Sequence, residues 1–432
     1  MRFVSTAGAG PPVDLATAVF AGPAPDGGLY LPESLPAADP EVFSDPSLSV
    51  AERSARLLAP FLGDLDAGTL TQLLAEALDF PLPLVELEDG IHVLELFHGP
   101  TLAFKDVGAR TLARLIAALR GDDDRVVTVL VGTSGDTGGA VAHAFAGVAG
   151  TRVAVLYPSG RISPLQEKQI ATLGGNVLAL AVEGGFDDCQ RLVRQVFGDR
   201  GLACEMRLTS ANSINVGRLL PQMVYYAHAA ARLAPARVLF SVPSGNFGNL
   251  TAGLMAHRMG MPAAGFVAAT NVNDVVPAYL ETGVFTPRPS VPTMSSAMDV
   301  GDPSNLARIR ALYGDDPAAI RRDVTAASFD DDATAGAIHD VAARTGYLLD
   351  PHTAVGYLGL RRTLKERGGG GPGILLATAH PAKFLEQVEP ILGRPLAVPE
   401  PLARCMDRPI RSHQIAAQLG ALAGLLRVWP AA

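Results

Sequence analysis

Four lysines, Lys105, Lys168, Lys365 and Lys383, stand among the 35 lysine and arginine residues of the chain. Where arginine fills nearly every cationic position, a retained lysine is worth attention, because a guanidinium does not give up its proton and cannot serve as a neutral amine. Lys365 lies in the charge run 361–367, which reads as a solvated helix face, and Lys168 follows Gln166 and Glu167 on a polar stretch that reads as exposed. Lys105 differs, since the segment from Phe97 to Asp106 surrounds it with apolar and aromatic residues. Removal from water lowers an ammonium's hold on its proton, which suits this side chain to act as a nucleophile or base. A surface ion pair with Asp106 or Glu95 is the competing reading of the same residues.

Three further segments combine glycine, hydroxyl and amide groups directly after apolar runs. In Gly132 to Gly139, glycines let a backbone approach a ligand, while Ser134, Thr137 and the amides of a coming helix can donate to an anion. A tight turn with a capped helix fits the pattern equally well. Ser244 to Asn249 offers consecutive N–H groups at a helix start, an anion cradle. It lacks the Lys-Ser/Thr ending of a nucleotide loop and the spacing of a dinucleotide fingerprint, so it points to a phosphorylated cofactor. In Thr378 to Lys383, a hydroxyl at a strand end could bond a heteroaromatic nitrogen, or simply cap the next turn, and His380 could be no more than a satisfied polar group.

These loops need strands to hold them. Residues 126–131, 152–156, 177–182, 238–242, 266–269 and 374–377 are short apolar runs alternating with helical stretches such as 140–148. Runs without polar alternation predict strands buried on both faces, and strand-helix alternation predicts parallel sheets with ligands at their carboxyl ends. The expected class is α/β, with one lobe, at about 125–220, inserted within another, and 374–377 as the last strand. Residues 1–90 read as a separate N-terminal unit, loop-rich at first and then helical over 50–62 and 67–78, closed by Pro81 and Pro83. Gly368 to Gly371 reads as a surface connection.

With a net charge of −8 the chain has no basic surplus for a phosphate backbone, which argues against a nucleic-acid partner. Cys189, Cys204 and Cys405 are odd in number and widely spaced, so they suggest neither a metal site nor a disulfide framework. No export signal or membrane span is visible, and the cytoplasm is the expected compartment.

Taken together, His98–Asp106, Thr133–Gly138, Tyr157–Ser163, Asn212–Asn215, Val242–Gly248, Ala269–Asp274 and Thr378–Phe384 resemble, in order, the threonine synthase family. Asp26–Pro32 is similar to that family's opening segment. The resemblance implies two parallel-sheet α/β lobes of the tryptophan-synthase-β-like pyridoxal-phosphate fold, with residues 91–432 as the cofactor-binding core behind a mostly helical N-terminal unit. It implies that Lys105 binds pyridoxal 5'-phosphate covalently, that Gly245, Asn246, Phe247 and Asn249 hold its phosphate, and that Thr378 faces its pyridine nitrogen. Asp136 then stands near the phenolic oxygen, where many relatives in the wider fold carry Asn. The implied reaction takes O-phospho-L-homoserine and water to L-threonine and phosphate. For the substrate's own anion, Ser134, Thr137, Arg161 and Asn215 are the expected donors. A dehydratase or phospho-lyase of the same fold remains the alternative, and a monomer or homodimer is expected.

Overall fold

In the central strands, consecutive apolar residues point into two different cores. The computed structural model, which describes residues 1–121, 124–369 and 371–429, places Val129, Val131, Val153 and Val155 in the largest hydrophobic cluster. Their neighbours Leu130, Ala154 and Leu156 belong to a second cluster on the opposite face. Side chains alternate across a strand, so an unbroken apolar run is what a sheet covered on both sides requires.

Thirteen strands result among the described residues: β1 Phe3–Ser5, β2 Tyr30–Pro32, β3 Leu84–Glu88, β4 Ile91–Glu95, β5 Val127–Gly132, β6 Thr151–Pro158, β7 Val177–Glu183, β8 Leu208–Ser210, β9 Val238–Pro243, β10 Ala263–Thr270, β11 Val324–Ser328, β12 Gly373–Ala377 and β13 Ser412–Ala416. A six-stranded sheet has the order β11-β10-β9-β12-β4-β3, parallel except for the β3/β4 pair. A five-stranded, wholly parallel sheet has the order β13-β7-β6-β5-β8. The two sheets form the expected pair of lobes. No helix among the described residues is long and apolar enough to cross a membrane.

The N-terminal helices fall where periodicity puts them, at Val50–Leu58 and Ala67–Ala77. Ser49 starts the first with a reciprocal capping box to Glu52, and the Asp66 carboxylate accepts from the amides of Gly68 and Thr69 to start the second. Leu57, Leu58, Leu70, Leu73 and Leu74 are buried where the pair packs together. The loop-rich opening also holds a β1/β2 ribbon, with Phe3 paired to Pro32.

Two boundaries differ from the sequence reading. Leu84–Glu88 pairs with β4 in the large sheet, Val85 opposite Val93, so the N-terminal unit gives way before residue 84 and not at 90. The last strand is β13 and not 374–377: it pairs with β7, Ser412 opposite Ala179, so the small lobe draws on the C-terminus as well as on 125–220. The Leu419–Val428 helix adds Leu422 and Leu426 to that lobe's core. As an edge strand, β13 buries only Ile415, and one apolar anchor makes no legible pattern.

Candidate active site

Lys105 is the first residue of the Lys105–Leu119 helix, which follows β4 after a short loop. That loop is zipped to the chain leaving β12. The Phe104 amide donates to the Thr378 carbonyl at 2.9 Å and the His380 amide to the Leu102 carbonyl at 3.1 Å, on either side of an Ala103/Ala379 bridge. Two expected site residues far apart in sequence, Lys105 and Thr378, are thereby held side by side, and Thr378 is buried. The Lys105 ammonium lies 4.9 Å from the centre of the Phe104 ring.

Neither ion pair read from the local sequence forms. Asp106 is buried and turned away, accepting from the Thr101 amide at 2.8 Å and its hydroxyl at 2.6 Å, while Glu95 pairs with His98. Lys105 faces Asp136, with Nζ 3.6 Å from Oδ2. Burial lowers the pKa of Lys105 below the ordinary lysine range, and the Asp136 charge only partly offsets it.

Asp136 opens the Asp136–Phe145 helix after β5, which begins there and not at Ala140. Thr133 explains the earlier start: its hydroxyl oxygen accepts from the amides of Gly135, at 3.0 Å, and Gly138, at 2.9 Å. Buried Asp136 has a stronger partner than Lys105. Lys383 Nζ lies 2.9 Å from Oδ1 and donates to the Thr101 carbonyl at 2.8 Å, and Gln166 Nε2 donates to the same Oδ1 at 3.2 Å. Although burial alone would raise it, the Lys383 and Lys105 charges hold the Asp136 carboxyl well below the usual carboxylate range. Sequence reasoning missed Lys383, although the scarcity that singled out Lys105 applies equally to it.

The second loop is a cup at the carboxyl end of β9. Gly245 is pressed against the 293–300 segment, where a Cβ would lie 2.7 Å from both the Ala297 carbonyl oxygen and Met298 Cα. Phe247 adopts φ 60°, an unusual conformation for a bulky residue and one that turns successive amides inward ahead of the Gly248–Arg258 helix. Asn246 braces the cup: its Nδ2 donates to Ser213 Oγ at 2.7 Å and its Oδ1 accepts from the Ser304 amide at 2.6 Å. Asn249 Oδ1 accepts from Tyr225 at 2.5 Å and from Tyr226 at 2.7 Å. These two hydroxyls fix the amide so that Nδ2 is left buried and without a partner among the described residues. A preset donor of this kind, beside helix N–H groups that have no intrahelical acceptor, fits a bound phosphate.

The 269–274 block ties down the segment that roofs the cup. Asn273 exchanges hydrogen bonds with the backbone of Val291, Asn271 reaches Thr293 Oγ1 and Asp299 Oδ1, each at 2.8 Å, and the Ala297 amide donates to His352 Nε2 at 3.2 Å. His352 is itself set by Asp350, 2.8 Å from its Nδ1.

A cavity of about 2210 Å³ runs between the lobes, and Lys105, Ser134, Asp136, Thr137, Arg161 and Asn246 all line it. Ser134 and Arg161 are exposed there and Thr137 is half-buried. Asn215 differs from expectation. It is fully buried, its Nδ2 donates to the carbonyls of Val19 at 2.9 Å and Ser210 at 2.8 Å, and its Oδ1 caps the next helix through the Gly217 amide. With every polar atom engaged inside the protein, it has nothing to offer a substrate.

Residues 78–378 match the family described as pyridoxal-phosphate dependent enzyme, residues 2–78 the threonine synthase N terminus and residues 353–425 the threonine synthase C-terminal region. The chain is 44% identical to the threonine synthase of Serratia marcescens over 424 residues, covering 97% of each chain. It is 44% identical to that of Escherichia coli (strain K12) over 419 residues, 96% of each. Its fold superimposes on the crystal structure of the Escherichia coli threonine synthase with TM-score 0.92 at 43% identity, covering 99% of both. The pyridoxal-phosphate-bound threonine synthase of Brucella melitensis gives TM-score 0.92 at 38% identity, again covering 99% of both. By these matches along nearly its whole length, the chain belongs to the threonine synthase family of pyridoxal-phosphate-dependent enzymes.

Proposed function

We propose that the chain converts O-phospho-L-homoserine and water into L-threonine and inorganic phosphate. The observation that carries this reading is the placement of one half-buried lysine, Lys105, beside the zipped Thr378 strand end and the Asp136 carboxylate. When bound, pyridoxal phosphate supplies the electron sink that lets protons leave Cα and then Cβ of the substrate and lets its γ-phosphate depart. Lys105 is assigned the covalent hold on the cofactor. Gly245, Asn246, Phe247 and Asn249 are assigned the cofactor phosphate, Asp136 the phenolic side and Thr378 the pyridine nitrogen, to which it presents a neutral hydroxyl.

Released from its hold, Lys105 takes the proton from substrate Cα. Its lowered proton affinity leaves a larger share of neutral amine, the form able to do so. Because the same amine stays beside the reacting carbons, it is also suited to move the Cβ proton without a second base. Ser134, Thr137 and Arg161 are assigned the substrate's anionic groups at the cavity rim. Asn215 drops out of that set. A cytoplasmic monomer or homodimer without nucleic-acid or membrane partners completes the reading, in keeping with the net charge of −8 and three unpaired cysteines.

The test is a visible spectrum and product analysis on wild type and Lys105→Ala together. Wild type should absorb in the visible after addition of pyridoxal phosphate and release threonine and phosphate in equal amounts. The variant should lose both the band and turnover, the latter by about a thousandfold or more. Formation of 2-oxobutyrate without threonine would make the chain a dehydratase or phospho-lyase.

A further inference from the structure

We propose that Lys383 is the standing counter-ion of Asp136 and a positioning residue of the site: by occupying that carboxylate it leaves the Lys105 amine free to act as the nucleophile. The inference rests on the reading of Lys105 as the cofactor lysine and goes beyond it by giving the second lysine of the site a task.

Geometry separates the two amines. Both residues border the cavity, but the Lys383 side chain is 0% exposed and that of Lys105 14%, so Lys105 is the more accessible amine. At 2.9 Å the Lys383 to Asp136 contact is a charge-assisted hydrogen bond, whereas 3.6 Å from Lys105 to the other oxygen is a longer contact between charges. A second acceptor, the Thr101 carbonyl at 2.8 Å, fixes Lys383 in place, and Gln166 occupies the same Asp136 oxygen. Lys383 therefore has no slack with which to reach a substrate.

Other titratable and charged groups face the cluster from each neighbouring element. Lys105 meets Asp136 from one helix, Lys383 from the 381–384 turn and Arg218 from the Val216–Leu219 helix. His352 faces Asp136 from the start of the Pro351–Glu366 helix. Lys383 also acts on Asp106, His143, His380 and Cys405. One carboxylate is thus shared by two lysines. Whichever lysine binds it more tightly exposes the other to repulsion instead of stabilisation.

The experiment follows the rate at which the full chain, stripped of cofactor, recaptures pyridoxal phosphate as pH is varied, by visible absorbance. Wild type should climb to a plateau with a midpoint set by the Lys105 amine. In Lys383→Met the carboxylate's attraction passes wholly to Lys105, so the midpoint should move upward by about one unit. The rate at neutral pH should then fall about tenfold while the alkaline plateau is kept. Lys383→Arg, which keeps the charge, should hold the wild-type midpoint, and Asp136→Asn should move it downward. Lys383→Gln serves in the same way if the Met variant does not fold. A second measurement needs no variant. With four lysines in the chain, Nζ-labelled wild type should show at neutral pH one ammonium signal protected from solvent exchange, lost in Lys383→Arg.

An unmoved midpoint in the charge-removing variants overturns the proposal, and a plateau lowered at every pH around that same midpoint shows that Lys383 only packs. Absence of a protected ammonium overturns it as well. Failure of the parent reading looks different: wild type would take up no pyridoxal phosphate, or Lys105→Ala would take it up equally well.

Discussion

The loop after β9 and the loop after β5 each run from a buried parallel strand into a helix N-terminus, yet one is largely buried and neutral and the other open and charged. The first has Phe247 and Asn249 buried, a neutral Asn donor preset by two tyrosine hydroxyls, and a roof formed by residues 293–300. The second has Ser134 exposed, Thr137 half-buried and, at its inner edge, a carboxylate gripped by lysine. Both offer helix amides to an anion. What separates them is exchange. A group that stays bound through many turnovers is desolvated once and can be met by buried, fixed donors, whereas a substrate that arrives and leaves each cycle needs donors that water also reaches.

Crossing the two loops should break the comparison most severely at Gly245. In Gly245→Ala the added carbon meets the backbone of one peptide unit, the Ala297 oxygen and Met298 Cα, with no flexible side chain to give way. Cofactor retention, measured by dialysis against a scavenger, should weaken by about a hundredfold, while the KM of the still-loaded fraction stays near wild type. Ser134→Ala should do the reverse, raising KM for the phosphorylated substrate roughly fivefold, the value of about one hydrogen bond, with retention unchanged. If Ser134→Ala released cofactor instead, the division between resident and exchanging anion would be wrong.

Much of this division is legible in the sequence because it is written in short contiguous segments. The loops after β5, β9 and β12 lie within a few residues of strand ends that the apolar runs reveal, and the apolar setting of Lys105 is read from its immediate neighbours. What escapes is long-range. Nothing local in 378–384 says that the Lys383 amine turns inward to Asp136, some distance away in the chain. Asn215 has the residue type and neighbourhood of a ligand, but the carbonyls of Val19 and Ser210 claim it. Tyr225 and Tyr226 read as ordinary helix residues until folding brings both hydroxyls to one oxygen of Asn249.

That tyrosine pair sharpens the comparison. Removing one hydroxyl, as in Tyr226→Phe, leaves Asn249 Oδ1 its other donor, so cofactor affinity should fall only about fivefold, or about 1 kcal/mol. Removing both frees the amide to rotate and turn its oxygen toward the phosphate. The double variant should therefore lose more than the product of the two single losses, a coupling that a double-mutant cycle in cofactor affinity reads directly. Simple additivity would mean that the Asn249 amide is set by something other than these hydroxyls.

A further effect concerns acid. His143, on the helix that carries the open loop, is half-buried with its Nε2 out of reach of water and lacking a partner among the described residues, and desolvation pushes its pKa down to about 4 from 6.5. The unfolded chain, where the imidazole is solvated, takes up a proton below pH 6.5 that the folded chain refuses until about pH 4. Protons thus favour the unfolded state across that window, and stability declines as pH falls through it, by up to about 3 kcal/mol. His228 has its pKa lowered to about 4 in the same way, and burial lowers that of His380 as well, so wild type carries several such slopes, of which His143→Gln should remove one. The helix behind the cup carries only the partly exposed His257. Thermal midpoints of wild type and His143→Gln should accordingly diverge between pH 6.5 and 4 and run parallel above 6.5. Parallel curves throughout would place the acid sensitivity away from the open loop's helix, and that loop would then share the pH tolerance expected of the neutral cup.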